Sequence, residues 1–294
     1  MRKHLLLLII SLFTAVATFA QVTSSSMSGT IKDAKGITLP GATIKVTHVP
    51  SGTVYSAASN KDGLFNIPGM RVGGPYTAEV SFIGFNKATT NDIILQLGQA
   101  YILNATLTET GLELQAVTIK ASKRIVTAKA GASTNVNRTA LSTLPTFSRS
   151  ITDFTRLTPQ STGSSFAGRD ARLNSVTVDG ANLNNTFGTS SDLLPGGGTQ
   201  PISIETYDEL SINIAPFDVR QSGFTGAGIY ATTKSGTNTF HGSAYTYYKN
   251  QSFNGNYIGD NFIGNNVAKA STKTYGATFG GPIIKNKLFF FANF

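Results

Sequence analysis

The sequence predicts a β-rich chain in three successive parts: an N-terminal β-sandwich, a mixed α/β domain, and the first strands of an antiparallel, lipid-facing β-barrel. Three observations carry this. Short alternating runs recur at intervals of about ten residues from Ser28 to Leu107, separated by turn residues. The run Ser211–Thr239 then passes from one alternating stretch through Pro216, Gly223, Gly226 and Gly228 into another, Ile229–Gly236. Directly beyond it come aromatic segments of period two, the pattern of strands with one face in lipid.

The 294 residues suffice for two domains of ordinary size. The chain opens as a secretory signal. Arg2, Lys3 and His4 form a basic head, and Leu5–Ala17 is a 13-residue apolar run too short to span a bilayer comfortably. Thr18-Phe19-Ala20 supplies a small-residue exit, so residues 1–20 are expected to be removed. The alternative, an uncleaved anchor, is opposed by the polar Ser24-Ser25-Ser26. Cysteine is absent, which excludes disulfides, thiolate metal sites and a lipid-bearing cysteine. The +9 net charge falls by two, to +7, without Arg2 and Lys3. The remaining Lys and Arg are scattered among Thr, Ser, Asn and Gly, as on a solvated surface and not as in a nucleic-acid patch. No apolar run of 18 residues follows the signal, so no membrane helix is expected; a β-barrel stays open.

Residues 28–107 carry the sandwich. Ala42–Thr47 alternates with Ile44 and Val46 on one face, and Thr53–Ala57 follows a Pro50-Ser51-Gly52 turn. Asn60-Lys61-Asp62-Gly63 turns into Leu64–Ile67. Tyr76–Phe82 places Ala78, Val80 and Phe82 together, and Ile93–Leu97 and Tyr101–Leu107 complete about seven strands. Asp33 and Asp62 could be weighed as Ca²⁺ ligands, but each stands alone beside a Lys, and turn chemistry accounts for both. Gly29-Thr30-Ile31, Leu39-Pro40-Gly41-Ala42, Asp62-Gly63-Leu64-Phe65 and Ser81-Phe82-Ile83-Gly84-Phe85 resemble the carboxypeptidase regulatory-like, transthyretin-like β-sandwich. That resemblance implies a fold and no activity.

Residues 108–134 read as a linker containing the extended, β-branched stretch Ala116-Val117-Thr118-Ile119. From 135 to 234 the pattern is mixed. Thr139–Leu144 predicts a short helix stopped by Pro145, and Ser150 caps a second through Leu157, with Asp153 placed for a capping box. Ser175–Gly180 is a strand entering an Asp-Gly turn, Leu183–Gly198 a loop, Ile202–Tyr207 a helical turn, and Glu209–Ala215 a strand. From 239 to 294, three strands are expected at Phe240–Tyr248, Lys273–Pro282 and Lys287–Phe294, with an outer loop over Asn250–Ala270. Tyr275, Ala277 and Phe279 share one face of the second. Three strands cannot close, since plugged transporter barrels have about 22; the sequence reads as the front part of a longer protein.

Gly168–Arg172, Val176–Gly180 and Phe224–Gly228, together with the passage into aromatic strands, resemble the plug-to-barrel region of TonB-dependent outer-membrane receptors. Many of these receptors show Arg-Gly-Pro after the penultimate plug strand, where this chain has Ile214-Ala215-Pro216-Phe217-Asp218; the Oar-like branch, with its extra N-terminal β-domain, fits better than the siderophore receptors. The resemblance implies an α/β plug domain inside an outer-membrane β-barrel. It implies that the sandwich and plug face the periplasm. It makes Ala116, Val117, Thr118 and Ile119 a TonB box, which would pair as an added strand with a TonB-type periplasmic energy-transducing protein. The plain alternative is an edge strand or linker. Outer-membrane lipid would surround the barrel and an extracellular substrate, unnamed by the sequence, would enter it. No nucleic acid and no cofactor is implied.

Enzyme readings lack residues. The mature chain has only His48 and His241, in different parts, and no Gly-x-Ser-x-Gly, HExxH, Walker or GxGxxG pattern. Asp179 and Glu209 could act as acid and base, but nothing in the sequence pairs them. The sequence thus leads to an energy-coupled receptor and not an enzyme. The alternative is an outer-membrane adhesin or export-associated barrel without active transport, and a functional TonB box separates the two. N-terminal sequencing of protein recovered from the envelope should begin at Gln21; intact Met1 would overturn the cleavage expectation.

Overall fold

The computed structural model describes residues 22–110, 118–120, 131–146, 149–184, 193–194, 202–218, 220–253, 255, 257–262 and 269–294. The predicted signal and most of the predicted loop after Leu183 lie outside them.

Eight strands build the sandwich: β1 (Ser25–Asp33), β2 (Thr43–His48), β3 (Thr53–Ala58), β4 (Leu64–Met70), β5 (Gly73–Ser81), β6 (Ala88–Leu95), β7 (Ala100–Ile102) and β8 (Ala105–Leu107). One sheet centres on β1, flanked by β4 antiparallel and by β7 and β8 parallel. The other runs β3-β2-β5-β6 and gains a fifth strand, β9 (Thr118–Lys120), on its β6 side. Met27, Ile31, Ile44, Val46, Phe65 and Ile93 fill the space between the sheets. Removing an Ile or Phe side chain of this kind from water contributes about 1.5–3 kcal/mol. Ile44 and Val46 are buried while Thr43 and Lys45 are exposed, as the alternation predicts. Asp33 spends one carboxylate oxygen on the Lys35 and Ile37 amides, and Asn60 serves those of Asp62 and Leu64, so both turns are closed by their own side chains.

The central sheet has the order β10-β15-β16-β13-β14. Its members are β10 (Ala132–Val136), β13 (Ser175–Val178), β14 (Ala181–Asn182), β15 (Tyr207–Ile214) and β16 (Ala227–Thr233); two short strands, β11 (Ser161–Thr162) and β12 (Ser165–Phe166), pair apart from it. Helix α1 (Arg138–Thr143) follows β10, and α2 (Ile151–Thr155) packs Ile151 and Phe154 on the sheet. Ser150 and Asp153 form the expected capping box. The Asp179-Gly180 turn has both residues at positive φ, as a two-residue hairpin requires. Two readings change. The linker expected to run to Thr134 ends earlier, because β10 pairs from Ala132 onward with β15. The stretch after Gly226 is also not an alternating strand: Ala227–Thr232 are all buried, since β16 has a neighbour on each edge and cover on each face. Ala227, Ile229 and Ala231 lie in the central core, whereas Tyr230 packs with Val22, Val72 and Leu97 of the sandwich.

The last sheet, β17-β20-β21, consists of β17 (His241–Asn250), β20 (Ser271–Ile284) and β21 (Leu288–Asn293), all antiparallel. The expected outer loop carries a small hairpin of its own, β18 (Tyr257–Ile258) with β19 (Asn261–Phe262). Along β20, Tyr275, Ala277 and Phe279 are exposed and Gly276, Thr278 and Gly280 buried. Phe240, Phe279 and Phe290 cluster on the exposed face at 5.6–6.4 Å, beside the Lys285–Lys287 turn. Such aromatic groups sit where a barrel meets the membrane interface.

Sandwich and central sheet meet at a buried carboxyl. Glu209 on β15 accepts the Leu97 amide at 3.1 Å and Asn135 Nδ2 at 2.9 Å, and Asn135 also donates to the Leu97 carbonyl at 3.3 Å. Burial lifts its pKa from 4.5 to about 7, against the pull of the two hydrogen bonds from Asn135 and Leu97; neighbouring Asp208 adds to the rise. Because the folded value lies above the unfolded one, the folded chain holds the proton more tightly. The ionisation cost is absent below pH 4.5, grows as pH rises and is complete above about 7. We expect Glu209→Gln to gain stability over the parent as pH rises from 5 to 8, by about 3 kcal/mol at most. Calorimetric unfolding of both in detergent checks this; a pH-independent difference would mean that Glu209 does not titrate in this window.

Candidate functional site

Of the four predicted partner-binding residues, Ala116 and Val117 lie outside the described residues. Thr118 and Ile119 are extended in β9. That strand pairs in parallel with β6, in the register Thr89↔Thr118, Thr90↔Ile119 and Asn91↔Lys120. Asp92 has φ 58°, a left-handed conformation that breaks the pleat of β6, and β6 resumes its pairing with β5 only at Ile93. No strand pairs with the far edge of β9 among the described residues.

The second region is the seam between the central domain and the last sheet. Ser243, Tyr245 and Tyr247 share the face of β17 opposite the Phe240 cluster, because side chains alternate along a strand. That face meets the central domain. Tyr245 OH and Ser203 Oγ lie 2.6 Å apart. The Arg149 guanidinium stands 4.5 Å over the Tyr247 ring and 5.6 Å over that of Tyr245, while it pairs with Glu205. Lys234 Nζ lies 3.9 Å from Glu205, and Arg138 3.9 Å from Asp208. Burial raises the Asp208 carboxyl pKa and, with Arg138 nearby, lowers that of Lys234. The seam is thus a partly desolvated charge network, not a greasy contact. Gly236 marks the crossing: a Cβ there would strike the carbonyls of Phe290 and Gly281.

At the opposite end, a cavity of about 380 Å³ opens between sandwich and central sheet, lined among others by Gln99, Asn213, Phe217 and Asp218. The two carboxylates weighed as an acid and base do not meet there. Asp179 holds the Thr233 amide and hydroxyl at 2.9 and 2.6 Å, and Glu209 is consumed by the junction. Sequence reasoning missed Arg149 and Glu205, and weighed Glu209 as an acid or base without seeing its place in the junction. Arg149 stands at positive φ four residues after Pro145, and no local pattern announces its partners.

Comparison with known proteins agrees with this geometry. Residues 26–108 match the carboxypeptidase regulatory-like domain and residues 232–294 an outer membrane beta barrel domain. The TonB-dependent transporter Oar of Myxococcus xanthus is 27% identical over 95% of this chain, which spans 27% of that relative's length. Among solved structures, chlorocatechol 1,2-dioxygenase from Pseudomonas putida aligns at 12% identity over 29% of this chain and 60% of its own, with a TM-score of 0.24. Catechol 1,2-dioxygenase from Acinetobacter radioresistens aligns at 13% identity over 36% and 60%, with a TM-score of 0.26. Scores this low carry no argument. The chain joins a match to the carboxypeptidase regulatory-like domain to a match to an outer membrane beta barrel domain, and it is a homologue of the TonB-dependent transporter Oar along nearly its whole length.

Proposed function

We propose that this chain is the N-terminal part of an energy-coupled outer-membrane receptor, with residues 135–234 as its plug and the sandwich on the periplasmic side. The observation that carries the reading is the seam: the central domain lies on the face of β17 opposite the Phe240 cluster, held by Ser203 and Arg149 against Tyr245 and Tyr247. A domain in that position fills the lumen of a barrel whose other face carries Phe240, Phe279 and Phe290. The Asn238 and Asn286 side chains, at the turn end of the same sheet, meet at 2.7 Å, and the Asn238 amide donates to Pro50 of the sandwich. This supports placing the sandwich at the periplasmic mouth.

In this reading a TonB-type protein pairs with the box Ala116–Ile119 and pulls. Among the described residues, the strand next along the chain is β10, the edge of the central sheet, with only Val136 buried. An edge strand with so little buried surface is the cheapest part of a sheet to detach. A pull therefore loosens the plug from β10 inward and opens a path for substrate. No step requires chemistry on the substrate, and none of the residues above is placed to perform it.

Val117→Pro removes a backbone donor and fixes φ, so the box can no longer add as a strand. Losing about two backbone hydrogen bonds should weaken capture of the TonB-type periplasmic domain about tenfold or more. Deleting 113–121 should abolish it, with barrel insertion unchanged in both. Full capture by both variants would move the adhesin reading ahead.

A further inference from the structure

The reading above treats the box as a free peptide, yet the structure holds its second half as a strand. Thr118–Lys120 is the outermost member of a five-stranded sheet whose other four strands belong to the sandwich. A strand has two hydrogen-bonding edges. One edge of β9 is filled by β6, and among the described residues the other has no neighbour. Such an edge is a template for strand addition.

Two consequences follow from the chemistry of that edge. Its direction and register are set before any partner arrives, because the ladder to Thr89, Thr90 and Asn91 fixes them. On β6 the pleat breaks directly after Asn91, where Asp92 has φ 58°. Ordering a free backbone costs about 1–2 kcal/mol per residue, and a strand already docked has met that cost.

We propose that the carboxypeptidase regulatory-like domain presents the box: an extended strand of the periplasmic energy-transducing partner adds to the outer edge of Thr118–Lys120 while β6 stays on the inner one. The recognised object is a composite sheet, β3-β2-β5-β6-β9-partner, and not an isolated peptide. This rests on the assignment of Ala116–Ile119 as the partner's box and goes beyond it by giving the sandwich a part in recognition.

The chain lacks cysteine, so a tether can be placed cleanly. Asn91→Cys and Lys120→Cys, at register partners, would be joined in the full-length protein by a short thiol-specific crosslinker, and binding of the TonB-type periplasmic domain measured before and after. The tethered protein should bind within about twofold of the untethered one. The untethered protein should in turn bind at least about tenfold tighter than a synthetic peptide of residues 113–121, the equivalent of about 1.4 kcal/mol. Loss of binding on tethering would show that the strand must leave β6, and would overturn the proposal. So would a peptide that binds as tightly as the protein, or a crosslink that fails to form. The underlying box assignment fails differently: Val117→Pro, untethered, would then bind as well as the parent, and this proposal would fall with it.

Discussion

Unpaired backbone along strand edges is the constraint on which this architecture turns. Every sheet that does not close has two edges of free N–H and C=O groups, and each must be covered, shortened or used. The chain treats its edges differently. β3 begins at a turn whose Pro50 carbonyl accepts the Asn238 amide, so the last sheet is tied to its start. β10 and β14, the margins of the central sheet, are short. β6 is broken at Asp92 and takes on β9. In lipid no such latitude exists, because water cannot serve the free groups, and a strand edge there is saturated only by another strand.

What was legible in the sequence was whatever depends on neighbours in the chain. The alternation of Ile44 with Lys45, the Ser150–Asp153 capping box, the Asp179-Gly180 turn and the exposed row Tyr275, Ala277, Phe279 are all fixed within a few residues, and the structure shows each. What was not legible depends on partners far away. β10 looked like linker because Ala132–Val136 is mostly polar; it is a strand only because β15 offers an edge some eighty positions later. β16 read as alternating because Thr232 and Tyr230 are polar or amphipathic; it is buried from Ala227 to Thr232 because the sandwich packs on Tyr230 of its second face. Glu209 sits in a strand of ordinary appearance, and nothing local says that the Leu97 amide will meet it. Of the four box residues, position relative to the plug resemblance carried the assignment, and local sequence could not separate a box from an edge strand.

The junction gives the edge strands a common anchor. β6 carries β9 on its edge and then runs on to Leu97, whose amide ends on Glu209. The same carboxyl holds Asn135, a residue of β10. Two routes therefore lead from β9 to β10. One is the covalent chain between residues 120 and 132. The other passes through β6, Leu97 and Glu209, and is held by hydrogen bonds. A buried carboxyl is an unusual choice for such a joint, since an amide would cost less to bury. Its consequence lies in the sign of the energy. Ionised Glu209 is held at a cost while the joint is closed and recovers full hydration when it opens, so the closed state is least favoured where the group is charged. An apolar joint would resist parting in proportion to its area at every pH. This one combines the bonds from Leu97 and Asn135, which fix its geometry, with the apolar packing of Tyr230 on Val22, Val72 and Leu97, and the ionised carboxyl offsets part of what that packing contributes; under the coupling proposed above, that would ease separation where the edge strand β10 is pulled.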